Sequence, residues 1–215
     1  MDTTVEPQLA PPGAGLPKVE LYVARLIFAV RRWSGSRDSF TAHFERERET
    51  IRGLLKLCDA ELAATRVLIR RPRGLEDSSR FWSVWMTLDH LRIVHRSITR
   101  IIDNLSKGVS PGGKASTAAV KPNLGVTAAI INEYERSCDE LQAKVAGISE
   151  LKTKSRYAHP WFGLLNAAGW HALSASHITI HRVQIERILE QLSTETIRRR
   201  MKADADERVL VDSIQ

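Results

Sequence analysis

Between residues 38 and 192 apolar side chains return every three or four positions, and nowhere do they alternate as a half-buried strand requires. That period admits helices, so the sequence predicts an all-α fold with no sheet. The first segment starts at a cap, Ser39 or Thr41, and holds Phe40, Phe44, Ile51, Leu54, Leu55, Cys58 and Leu62 in register. Its other face, Glu45 to Glu49, alternates in sign and reads as solvated. The second, Ser79 to Leu105, is apolar on more than one side, as a central helix is. The third runs from Thr127 to Val145. The fourth follows Asn166, a good N-cap, and ends at Leu192, with Trp170, Leu173, His177, Ile180, His181, Gln184 and Ile188 as its buried stripe. Residues 106–125, with four glycines and two prolines, form a long connection that crosses the bundle end. The expected fold is a four-helix bundle with an additional N-terminal helix and a long connection between the second and third bundle helices.

Four regions follow. Residues 1–18, rich in proline and glycine, read as a disordered leader. Residues 19–36 hold the N-terminal helix, which packs outside the bundle and ends in Arg31 and Arg32. Residues 38–192 form the bundle, and 193–215 a polar tail. Composition narrows the setting. At 43% hydrophobic and 27% charged residues the chain is not wholly disordered. It has no apolar run near the roughly 18 residues of a spanning helix, and no signal-peptide pattern. Cys58 and Cys138 are too few for a disulfide framework or a thiolate zinc site. The expected setting is cytoplasmic, without a membrane. The net charge of +7 permits nucleic-acid contact, but bases and acids interleave and no helix carries one basic stripe, so nucleic acid is disfavoured. Arg70 to Arg73 reads as a solvated loop.

The chemistry-bearing residues are histidines. His177 and His181, four apart on an apolar helix, face one way and can place two nitrogens on one ion. His90 lines up with Met86, Ile93, Ser97 and Ile101 and also faces the interior. Together they make a three-histidine set with an open position. The competing reading is that each is a core histidine hydrogen-bonded to a carbonyl or polar side chain. His95, about 140° round the helix from His90, packs elsewhere; His171 is on the wrong face, and His43 is exposed. Asp89 reads as a surface charge in preference to a partner of a ligating histidine. His159, in the loop before the last helix, either caps or packs locally or reaches the open face as a substrate contact.

Three segments resemble the DinB-like superfamily. They are Trp82-Ser83-Val84-Trp85-Met86-Thr87-Leu88-Asp89-His90-Leu91, His159 to Trp170, and His177-Ile178-Thr179-Ile180-His181-Arg182-Val183-Gln184-Ile185. They fall in the family's order; Leu164 stands where many relatives have proline. The resemblance implies a four-helix bundle that binds one divalent metal through His90, His177 and His181. It also implies metal-dependent hydrolases and thiol transferases among the relatives.

The function expected is that of a metal-dependent enzyme. One divalent transition metal (Zn, Ni or Fe) would activate water or a low-molecular-weight thiol co-substrate against a small-molecule substrate. Ile178 follows His177, so the H-E-x-x-H pattern of a zinc protease is absent. The alternative is a non-catalytic, metal-stabilised module that forms a homodimer through Leu21, Val23, Leu26, Ile27 and Phe28.

Overall fold

Ser36 opens the first bundle helix, three residues before the cap expected from sequence. Its Oγ accepts the Ser39 N–H at 3.1 Å while the Ser39 hydroxyl accepts the Ser36 N–H at 2.8 Å, a reciprocal capping box. The computed structural model describes residues 6–212, and side chains through residue 196. Its helices are α1 (Lys18–Ser34), α2 (Arg37–Leu55), α3 (Ala60–Ala64), α4 (Val84–Ser106), α5 (Ile130–Gly147) and α6 (Ala167–Asp212). Two short antiparallel ladders join them: β1 (Val67–Leu68) with β2 (Phe81–Trp82), and β3 (Tyr157–His159) with β4 (Gly163–Leu165).

The all-α bundle is observed, with α2, α4, α5 and α6 as its four helices. Cross-helix pairs give their directions. Arg92 meets Glu133, Arg96 meets Glu140 and Asp103 meets Lys144, so α4 and α5 run parallel. Thr41 meets His171, His43 meets Thr179 and Glu47 meets Arg182, so α2 and α6 are parallel too. Arg48 and Arg52 both reach Glu135, which sets α2 against α5. Parallel neighbours need a connection that returns along the bundle. The 23 residues of α4 span about 35 Å, so residues 107–129 run beside the helices and do not merely cross their end. On the way Ala115 donates to the Ala158 carbonyl at 2.9 Å.

Several expectations are corrected. The first helix stops at Leu55, because Asp59 caps a new turn by accepting the Leu62 N–H at 2.7 Å; Cys58 and Leu62 therefore leave the helix. Residues 81–82 and 157–165 form hairpin ladders where no sheet was expected. Strands of two or three residues are too short to show alternation. The last helix continues past Leu192 to Asp212, because the polar residues there are good helix formers. The leader is held over residues 6–17. Ala10 and Gly13 donate backbone N–H groups to Asp77 and Glu76, Glu6 pairs with Arg66, and Leu16 is buried. Its residues 1–5 lie outside the described residues, as do the side chains of the tail from 197. The face Glu45–Glu49 is not wholly solvated: Arg48 is 5% exposed and bonds Glu135 and Asp139 at 2.7 Å each. Within Arg70–Arg73, Arg71 forks onto Glu20. On α1, Phe28 turns inward (5% exposed) while Val19, Tyr22, Leu26, Val30 and Trp33 face out.

The core is continuous across the four helices, centred on Phe44, Ile51, Leu88, Leu91, Ile102, Tyr134, Leu141, Ile178 and Ile185. Because α6 sits between α2 and α4, it buries Ile178 and Ile185 as well as the stripe read from sequence. His95 is fully buried beside Ser137, Cys138 and Phe44, and His171 is buried with Thr41 at 3.3 Å. His43 is half-buried, not exposed, and bonds Thr179 at 2.8 Å.

Two predictions follow from this packing. Arg48→Ala should lower the free energy of unfolding by about 2 kcal/mol in urea titrations. That is less than the 3–5 of a fully buried pair, because Arg52 still holds Glu135. Burial pushes His95 down to about 3 and His171 to about 4, so both are neutral when folded. The unfolded chain takes up protons below about pH 6.5 that the folded chain refuses. Stability should therefore fall as pH drops from about 6.5 to about 4, and the urea midpoint followed over that window checks it.

Candidate metal centre

The site begins with a helix start. Ser83 ends β2 and caps α4 by accepting the Met86 N–H at 3.2 Å, which fixes His90 two turns inside the helix. The β1–β2 ladder holds Trp82 beside it, 5.2 Å from the His90 ring and stacked on His181 at 6.3 Å. On α6, capped by Asn166 through the Gly169 N–H, His177 and His181 fall on the face turned to α4. Their Nε2 atoms are 3.1 Å apart, and the His90 Nε2 lies 3.3 Å from that of His177. One ligand atom from each of the three histidines lies within 4.8 Å of the other two.

The outer nitrogens fix the tautomers. His90 Nδ1 bonds the Val120 carbonyl at 2.6 Å and His181 Nδ1 bonds Gln184 Oε1 at 2.7 Å. The amide orientation is set because Gln184 Nε2 donates to the Ser79 carbonyl at 2.7 Å. Both acceptors lack a proton to give, so both Nδ1 atoms carry one and both Nε2 atoms present bare lone pairs. His177 can donate to only one of them, and its Nδ1 has no partner among the described residues. Burial pushes all three groups down, His181 to about 4, so they are neutral near pH 7. Neutral imidazoles with converging lone pairs are the donor set of a transition metal. Two nitrogens on a tetrahedral ion at about 2.1 Å would stand about 3.4 Å apart, close to the spacing found. The residues fit one metal ion.

Around the triad lies a cavity of about 380 Å³, within the range of small-molecule sites. Its walls come from α1, α4, α6 and the segments 73–79, 115–121 and 159–162. His159 lines it, with its ring stacked on Phe162 at 5.1 Å and edge-on to Trp170 at 5.6 Å. Its Nδ1 accepts the Trp161 N–H at 3.1 Å, so its proton sits on Nε2. Lys121 lies 5.4 Å over Trp82 and bonds Glu76, Ser78 and Ser79. Burial raises the Glu76 carboxyl, but Lys121 and Thr117 outweigh this and hold it below its usual range.

Of the residues singled out from sequence, His90, His177 and His181 come together, His95 and His171 stay apart, and His159 joins the cavity wall. Asp89 is neither a surface charge nor a partner of the triad. It is 2% exposed and accepts from Arg92 at 2.6 Å and from the Asn123 backbone at 2.9 Å, pinning the long connection. Val120, Lys121 and Glu76 escaped sequence reasoning because only the fold brings them near. Gln184 was visible on the stripe, three residues after His181, and that spacing on a helix is the signal for its bond.

A solved structure described as TT2238, a four-helix bundle protein, is 20% identical, covers 70% of this chain and 98% of its own, and superposes with a TM-score of 0.52. It shares the fold. No curated protein matches the sequence. The profile of the DinB superfamily matches residues 43–185, a span that includes α4, α5 and all three converging histidines. The chain belongs to the DinB superfamily.

Proposed function

We propose that His90, His177 and His181 hold one divalent transition metal (Zn, Ni or Fe). On this reading the protein is a metal-dependent enzyme that hydrolyses a small-molecule substrate or transfers a low-molecular-weight thiol to it. The observation that carries it is the meeting of the three Nε2 atoms, two stripped of protons by Val120 and Gln184. A divalent ion there would act as a Lewis acid, lowering the pKa of a water or thiol in its open position. The chain supplies the rest. Val120 and Gln184 hold the imidazoles in the ligating tautomer. Trp82 packs on the His90 and His181 rings, and Val94 and Leu173 line the cavity beside them. His159 offers an Nε2–H to a substrate oxygen.

The three side chains act as one unit. Replacing any of His90, His177 or His181 by Ala should lower bound metal at least tenfold by elemental analysis, while His95→Ala should leave it unchanged. Gln184→Ala should weaken binding by about 10- to 100-fold, the usual cost of losing a hydrogen bond that orients a ligand. Equal occupancy in wild-type and triad variants would end this reading.

The second reading is a non-catalytic, metal-stabilised module that dimerises. It is favoured by α1, whose outward Val19, Tyr22, Leu26, Val30 and Trp33 are each more than half exposed along one stripe. Chelation separates the readings. An enzyme whose core rests on Phe44, Leu88 and Tyr134 keeps its helical circular dichroism without metal, whereas a structural ion takes the fold with it.

A further inference from the structure

Helix α1 lies outside the bundle and outside the residues that the superfamily profile matches. It is fastened at three points. Glu20 takes the Arg71 guanidinium and the Gly74 N–H, Arg25 donates to the Trp161 carbonyl at 2.6 Å, and Phe28 packs on Phe162 at 4.5 Å. Gly74 suits this seat, since its φ of +83° is left-handed and a Cβ there would come within 2.9 Å of Ile180. Beneath the helix is not packed core but the cavity. Val23, Ala24 and Ile27 form one wall and Val94, Ile98 and Ile101 of α4 another, with the triad in the same chamber.

A cleft of about 380 Å³ that opens to solvent leaves its apolar walls facing water, and covering them with apolar surface is favourable. Of the polar groups in its lining, Glu20 is engaged by Arg71 and Lys121 by Glu76. Between α1 and α4 the lining is Val23, Ala24, Ile27, Val94, Ile98 and Ile101, an apolar surface that leads to three nitrogens. We propose that this chamber takes a ligand with an alkyl or aryl tail and a polar, metal-binding head, the tail lying between α1 and α4 and the head at the triad. Helix α1 is then the specificity wall for the substrate of the site. The head's placement rests on the metal reading above, but the tail's does not.

Hydroxamic acids test this, since their head ligates metals and their tail can be lengthened without changing it. With the Zn-loaded full chain, calorimetry on aceto-, butano-, hexano- and octanohydroxamic acid should show Kd falling about fourfold per added methylene until the chamber fills. In Ile27→Asp, at the water-exposed rim of that wall where folding tolerates the charge, acetohydroxamic acid should bind as before while the gain with length is lost. If acetohydroxamic acid binds and lengthening it changes nothing, the chamber proposal fails and the metal centre stands. If no hydroxamic acid binds, the metal reading fails, and the metal-free protein with butanol, hexanol and octanol decides the chamber. A gain with length that Ile27→Asp removes upholds it, and a flat series overturns it. A gain that disappears when the protein is concentrated enough to dimerise would show that a second copy covers the chamber, which also overturns it.

Discussion

Two imidazole lone pairs aimed at the same nitrogen are the constraint around which the centre of this bundle is arranged. In solution the rings would turn apart or take up a proton. Neither is open here. The Val120 carbonyl and the Gln184 amide hold the rings of His90 and His181, and burial opposes protonation. A cation answers the arrangement because it replaces a repulsion with three bonds and does not ask the interior to hold an isolated charge without ligands. The cost of keeping the rings so disposed falls on the surrounding fold: the cap at Ser83, the ladder that seats Trp82 and the bond from Gln184 to Ser79 all serve to hold them.

That arrangement depends on helix direction. With α4 and α5 parallel, the chain must return along the bundle before α5 can begin, and the returning segment passes the open side of α4. Asp89 captures it at Asn123, and Val120 is thereby delivered to His90. An up-and-down bundle with short turns would leave His90 Nδ1 without that carbonyl. The long connection is thus part of the site, which explains why a buried aspartate one residue from His90 makes no contact with the triad.

The helices and the triad were legible in the sequence because both rest on local periodicity. His177 and His181 share a face whatever packs on it, and the apolar neighbours of His90 mark its face as inward. What escaped was set by partners distant in the chain. Nothing near Arg48 announces that Glu135 and Asp139 will bury it, and although Arg92 stands one helical turn from Asp89, nothing near Asp89 foretells Asn123. The break after Leu55 was missed because Leu62 continues the helical spacing while Asp59 supplies a competing cap. The leader misled in another way. Proline removes donors, but Ala10 and Gly13 between the prolines keep theirs, and carboxylates at 76 and 77 accept them.

Helix α1 illustrates how an apolar pattern can leave the rotation of a helix open: of the stripe read from sequence, Phe28 is buried while Val23, Leu26 and Ile27 remain exposed. Its apolar residues nearly encircle it, so the sequence alone does not say which of them meet the bundle. The anchors decide: Glu20 on Arg71 and Phe28 on Phe162 fix the rotation, placing Val23 and Ile27 at the open rim of the cavity, still in reach of water, and Tyr22, Leu26 and Trp33 outward. The helix therefore carries two apolar surfaces with different burdens. The outer one is open to water along its length and gains only if something covers it. The inner one faces a space left unfilled by the protein's own side chains, so a helix that buries only Phe28 in the core still supplies one wall of the chamber over the histidines, with α4 and α6 supplying the others.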